Sequence, residues 1–176
     1  MRLFFAADVT NQVRMRIAKA AEQLQNQALQ GYFVRPELYH ITLVFLGETS
    51  DLNKAVDALQ SLEGTAFTVL AGGLGTFKRP RGDLYWAGVQ DLHHQLQHHC
   101  HRLSTELKKQ GFSLENRSFR PHITIGRDVI LAKKTNVEIP EIAMKITQIR
   151  LMNSERINGR LTYTEIAAKH LNSNSL

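Results

Sequence analysis

Hydrophobic and polar positions change period several times along this chain. Residues 3 to 8 open with a short apolar run ending at Asp8, which reads as a strand. From 10 to 30 the apolar positions Val13, Ile17, Ala20, Leu24 and Ala28 recur at helical spacing, and Gly31 is the expected stop. Residues 38 to 46 return to alternation up to Gly47. Ser50 or Asp51 can then cap a second helix with Leu52, Val56, Leu59 and Leu62 on its apolar face. Strands follow near 66 to 71 and 84 to 89. A third helix is expected from Asp91 to about Gln110, with a stripe of Leu92, Leu96, Cys100, Leu103 and Leu107 and a stop at Gly111. A strand near 119 to 126 comes next. The tail from 144 to 169 reads as two strands around the turn Asn158-Gly159.

Two of these segments carry the same phrase. YHITLVF spans 39 to 45 and PHITIGR spans 121 to 127, and each follows a long amphipathic helix after a short gap. Helix followed by strand, twice, is a weak internal repeat, and it predicts two related lobes with one copy of the phrase in each. The fold class expected is α+β. The 176 residues suit one domain, or two small lobes sharing a core.

Composition adds little to this outline. The single cysteine, Cys100, excludes an internal disulfide framework and fits a reducing compartment. The opening apolar run of five residues is too short for a signal-peptide core, and no later stretch approaches a membrane span, so a cytoplasmic protein is expected. The net charge is +6. Two clusters concentrate it: Lys78, Arg79 and Arg81 in a Gly/Pro-rich loop, and Arg117, Arg120 and Arg127 around the second phrase. Nucleic acid and plain solvated surface explain such clusters about equally well.

The repeated phrase carries the chemistry. On a strand, alternate side chains share a face, so His40, Thr42 and Val44 oppose Ile41, Leu43 and Phe45. Likewise His122 and Thr124 oppose Ile123 and Ile125. The aliphatic residues belong to the core, and each His-Thr pair looks outward. One such pair facing water would be unremarkable on a surface strand. With this composition, His-apolar-Thr-apolar should occur only about 0.1 times by chance, so two copies in matching contexts point to a shared cleft. Histidine titrates near neutrality, so one imidazole can act as base while the other acts as acid. Flanking one phosphorus atom, they can run an in-line displacement, with the threonine hydroxyls holding the non-bridging oxygens. That scheme requires no metal and no cofactor.

The segments LYHITLVFLGE (38–48) and FRPHITIGR (119–127), with RLFFA (2–6), resemble the 2H phosphoesterases, specifically the branch of RNA 2′,3′-cyclic phosphodiesterases also called 2′-5′ RNA ligases. The resemblance covers most of the chain. It implies a single bilobal domain over 1–176, with two pseudo-symmetric lobes whose antiparallel sheets face a central cleft and whose helices lie outside. It implies hydrolysis of a terminal 2′,3′-cyclic phosphate to a 2′-phosphate, with reversible, ATP-independent 2′-5′ ligation as the reverse step. By position, His40 is the implied proton donor and His122 the proton acceptor, Thr42 and Thr124 hold phosphate, and Phe45 and Arg127 flank the nucleobase. The residues themselves are symmetric about which histidine is acid and which is base. Alternation places Phe45 on the core side, so core packing is the reading favoured for it. The implied partner is RNA with a 2′,3′-cyclic phosphate end, such as tRNA halves, met by a monomer with no membrane contact. A small cyclic phosphate of ADP-ribose, a 2′-5′ oligoadenylate, or RNA binding without turnover are the rival readings.

Other features lead nowhere. HHQLQHHCH (93–101) holds five histidines, but His94, His98 and His101 share a face opposite Leu92, Leu96 and Leu103, which predicts a solvated surface rather than a metal site. Gly72, Gly73 and Gly75 are followed by no Gly-Lys-Ser/Thr, so they predict a turn and not a phosphate loop.

Overall fold

The computed structural model describes residues 1–173. The element order is β1 (Arg2–Asp8), α1 (Asn11–Gln27), β2 (Ala28–Phe33), a short 3-10 turn (Pro36–Leu38), β3 (His40–Glu48), α2 (Leu52–Gln60), β4 (Phe67–Phe77), β5 (Asp83–Gln90), α3 (Gln95–Lys109), β6 (His122–Leu131), β7 (Ile142–Ile146), β8 (Gln148–Ile157) and β9 (Arg160–His170). The strands form a curled antiparallel sheet in the order β7-β4-β5-β6-β3-β1-β8-β9, with β2 also paired to β6.

Read outward from its middle, that order is a pseudo-symmetric pair. One half runs β3-β1-β8-β9 and the other β6-β5-β4-β7. Each phrase therefore lies on the innermost strand of its half. The two halves meet at a single paired position, Ile41 with Ile123, the residue between His and Thr in each phrase. Both isoleucines are fully buried, which ties the two motifs together from beneath. The repeat expected from the sequence is thus present as topology.

The main core lies between one face of the sheet and the helices. Leu3, Phe5 and Ala7 of β1 enter it, while Phe4 and Ala6 point the other way into a small cluster with Met152 and Tyr163. Because β1 is central and covered on both faces, its five middle residues are all buried. Helix α1 buries Val13, Ile17, Ala20, Ala21 and Leu24 against the core, and α3 buries Leu96, His99, Leu103 and Leu107.

Several element boundaries differ from expectation. Helix α1 ends at Gln27 rather than near Gly31, because Ala28–Phe33 turns into β2 and pairs with β6. Gly31 sits inside that strand at φ +140°, where a Cβ would come within 2.8 Å of the Val129 side chain. Helix α3 starts at Gln95, not Asp91; the Asp91 carboxylate instead accepts hydrogen bonds from the Gln95 and Gln97 amides at 2.9 and 3.0 Å. Leu92 then lies before the helix and is exposed. His99 takes a core position, while Cys100 is half-buried with its thiol donating to the Leu43 carbonyl at 3.1 Å. Strand β6 begins at His122 rather than 119, and the tail holds a further strand, β7, ahead of the two expected. The Asn158-Gly159 hairpin is as expected, with both residues at positive φ, 50° and 78°. Among the described residues no helix is long and apolar enough to cross a membrane.

Candidate active site

Each histidine is held the same way. His40 Nδ1 lies 2.8 Å from the Leu38 carbonyl, and His122 Nδ1 lies 2.6 Å from the Arg120 carbonyl. In both cases the acceptor is the backbone oxygen two residues upstream, supplied where the chain enters the strand. A carbonyl can only accept, so Nδ1 carries a proton in both rings and Nε2 is left as the titrating nitrogen. At His40, Nε2 lies 2.9 Å from Thr42 Oγ1. With the neutral ring, that hydroxyl donates to Nε2.

Beyond the threonines, both strands bulge at the same place. The β1–β3 register steps from Ala6↔Thr42 to Phe5↔Val44, leaving Leu43 unpaired. The β5–β6 register steps from Trp86↔Thr124 to Tyr85↔Gly126, leaving Ile125 unpaired. Leu43 and Ile125 each come three residues after their histidine (43 − 40 and 125 − 122). An extra residue reverses the alternation that follows. Phe45 and Arg127, each five residues after its histidine, therefore turn to the same side as the His-Thr pairs. Here the sequence reading is corrected: Phe45 is not packed in the core but 43% exposed, and Val44, expected beside Thr42, is buried.

His40, Thr42, Phe45, Thr124 and Arg127 all line one cleft of about 700 Å³. His122 lies beside it, half-buried, close enough that its charge lowers the His40 pKa. Each imidazole is set against two aromatic rings. His40 has Phe4 at 4.9 Å and Tyr163 at 5.2 Å. His122 has Phe77 at 5.4 Å and Trp86 at 6.1 Å. Burial pushes His40 from its ordinary 6.5 down to about 4, against the Leu38 carbonyl, with the charges of Arg127 and His122 adding to the drop. His122 is also lowered, by burial first and by Arg127 as well. Both imidazoles are thus neutral at pH 7 in the ligand-free protein.

The remaining lining was not foreseen. Arg2, Arg35, Arg156 and Arg160 join Arg127, together with Phe4, Tyr32, Ser154, Leu161 and Tyr163, and no carboxylate side chain lines the cleft. Of the two basic clusters marked in the sequence, only Arg127 reaches it. Lys78 is paired with Asp83 and lines a different groove with Lys133 and Lys134, Arg117 pairs with Glu115, and Arg120 contributes only its carbonyl to His122. The cleft arginines come from β1, the segment before the 3-10 turn, β6, β8 and β9. Apart from Arg156 and Arg160, which flank one turn, they are far apart in the sequence, so no single local signal marks all five as a group. His94, His98 and His101 are exposed, and no three His, Cys, Asp or Glu side chains among the described residues are placed to hold a metal ion.

Comparison with known proteins supplies the family. The family model described as LigT-like phosphoesterase matches residues 8–85. The chain is 32% identical to an RNA 2′,3′-cyclic phosphodiesterase of Archaeoglobus fulgidus, over 96% of this chain and 94% of that one. It is 31% identical to one of Thermotoga maritima, over 88% and 87%. A crystal structure of E. coli LigT complexed with 3′-AMP superimposes with a TM-score of 0.85 at 27% identity, over 97% of both chains.

Proposed function

The chain belongs to the LigT-like phosphoesterases of the 2H superfamily, and we propose that it hydrolyses the 2′,3′-cyclic phosphate at RNA ends to a 2′-phosphate. The observation that carries this reading is the matched pair of imidazoles, each with Nδ1 anchored on the carbonyl two residues upstream and Nε2 left to titrate. His122 Nε2 takes a proton from water as its oxygen attacks phosphorus. The bond from phosphorus to the 3′ oxygen breaks, and His40 Nε2 gives its proton to that oxygen. Thr42 and Thr124 donate to the non-bridging oxygens, and the Arg127 guanidinium balances the charge that builds there. Phe45 and Arg127 flank the terminal base.

His40 must be protonated to act as donor, and burial disfavours that charge. A phosphodiester monoanion entering beside it reverses the balance, since an anion in contact raises a histidine's pKa. The bound phosphate lies against His40, which lines the cleft, so its charge favours the protonated ring there. Protonation also changes Thr42's role. The charged ring no longer accepts at Nε2, so the threonine proton is freed for the phosphate while the Nε2 proton is held for the 3′ oxygen. Loading the acid and arming the phosphate contact are then one event.

In this reading the arginines and hydroxyls stabilise the transition state, and no metal is needed. Run backwards with an RNA 5′-hydroxyl, the same step joins ends through a 2′-5′ bond without ATP. The substrate pool is cytoplasmic RNA such as cleaved tRNA, and the protein works as a monomeric single domain. The test is an RNA oligonucleotide ending in a 2′,3′-cyclic phosphate, incubated with the protein in EDTA. A 2′-phosphate product is expected; an intact end would sink the reading. Turnover of ADP-ribose cyclic phosphate or 2′-5′ oligoadenylate in preference to the oligonucleotide would redirect it to a small substrate. Salt-sensitive binding that survives loss of both histidines, without turnover, would make the protein an RNA binder.

A further inference from the structure

The reaction described above leaves one wall of the cleft unused. A 2′,3′-cyclic phosphodiester carries one negative charge, yet five arginines and no carboxylate line this cleft. At about 700 Å³ it falls in the upper part of the roughly 300–1,000 Å³ range of small-molecule sites, more than a cyclic ribose phosphate fills. The surplus lies on the β8–β9 hairpin. Arg156 and Arg160 flank its Asn158-Gly159 turn and line the cleft. Both are exposed, and neither has a carboxylate partner among the described residues; the one hydrogen bond found for either guanidinium is Arg156 Nη1 donating to the Gly159 carbonyl at 2.9 Å.

The hairpin is tied in place. Arg35 Nη2 donates to the Leu161 carbonyl at 2.6 Å, and Arg35 Nη1 pairs with Glu37 at 2.9 Å. Arg35 is thereby occupied in fixing the wall, while Arg156 and Arg160 are left for a ligand. Three residues before Arg35, Tyr32 also lines the cleft and is 48% exposed. An exposed aromatic beside unpaired guanidinium groups is the combination that binds single-stranded nucleic acid, with the ring stacking a base and the cations following the backbone.

We propose that Arg156, Arg160 and Tyr32 form a subsite for the nucleotide 5′ to the cyclic end, the arginines taking its linking phosphate and Tyr32 stacking its base. The inference rests on the hydrolase reading and narrows it: the preferred substrate is an oligonucleotide end rather than a cyclic mononucleotide.

Three substrates separate the parts: adenosine 2′,3′-cyclic phosphate, the same compound carrying a 5′-phosphate, and a dinucleotide ending in the cyclic phosphate. For wild type, kcat/KM should rise about tenfold on adding the 5′-phosphate and about fivefold more on adding the second base. The first gain should weaken with salt, by a slope of roughly 0.7 in log-log terms for one added phosphate contact. In the R156Q/R160Q double variant the 5′-phosphate gain should collapse toward one, and in Y32L the second-base gain should collapse alone. Thermal melts of each variant check that it is folded. Equal kcat/KM on all three substrates, or gains retained in the variants, would overturn the subsite while leaving the hydrolase reading standing. No turnover of any of them by wild type would overturn both.

Discussion

The half-sites around His40 and His122 begin from one phrase and end in different environments. Both fix Nδ1 on an upstream carbonyl, both sit against two aromatic rings, and both are followed by a bulge that turns the fifth residue into the cleft. Yet His40 faces the open cleft with Thr42 on its Nε2, and its pKa is brought to about 4. His122 stands beside the cleft between Phe77 and Trp86, and no corresponding bond joins it to Thr124 among the hydrogen bonds of the described residues. One aromatic partner corresponds, Phe4 on β1 and Trp86 on β5, but the other does not: Tyr163 reaches His40 from β9, whereas Phe77 reaches His122 from β4. Duplicated motifs thus supply two equivalent imidazoles, both held below their ordinary pKa by burial, in walls that differ.

The largest effect expected is from removing either ring. His40→Ala and His122→Ala should each lower kcat/KM about a thousandfold, within the roughly 10²–10⁴ range of general acid–base catalysis. A variant of either that kept wild-type turnover would make the site one-sided. Next come the hydroxyls, which probe the asymmetry directly. Thr42→Val and Thr124→Val should each cost about a hundredfold as phosphate contacts. Only Thr42→Val should also raise a histidine pKa, because it removes a hydroxyl that stabilises neutral His40. Imidazole NMR titrations of the two variants would show this, and equal shifts at both histidines would erase the distinction.

The pH profile sharpens the same comparison. If the bound anion loads His40, the alkaline limb of kcat should lie at higher pH than that of kcat/KM, which reports the free enzyme. Coincident limbs would show that the bound anion does not load the acid. Arg127→Gln should raise both histidine pKa values together, since its charge lowers both. A shift at one ring only would show that Arg127 serves one half-site.

A separate effect concerns stability. His40 and the buried His99 are both depressed to about 4. His99 stacks on Phe67 at 5.7 Å with neither ring nitrogen hydrogen-bonded. A lowered histidine pKa means that the unfolded chain binds protons first. Stability is therefore full above about pH 6.5 and falls as the pH drops toward 4, by up to about 1.4 kcal/mol per pH unit per histidine. Denaturant melts across that window would read it, and His99→Phe should flatten the slope by about the share of one histidine.

By itself the sequence determined the secondary-structure periods, the turn at Asn158-Gly159, and the pairing of two His-Thr phrases over two buried isoleucines. These are local: side-chain alternation and turn chemistry depend on neighbours in the chain. It also carried the two-lobed plan, because each phrase follows its own amphipathic helix. Only the tertiary structure decided the rest. Residues 28 to 33 became a strand because β6 offered them hydrogen bonds, although Ala28 continues the helical stripe. Phe45 left the core side because β3 bulges at Leu43 against β1, a register that cannot be read from one strand. The cleft's arginines are scattered over five segments and converge only when the sheet curls, while the basic clusters visible in the sequence lie mostly elsewhere. Alternation fixes which side of a strand a residue occupies, but register, bulges and sheet curvature depend on partners distant in the chain, and those set which side becomes the site.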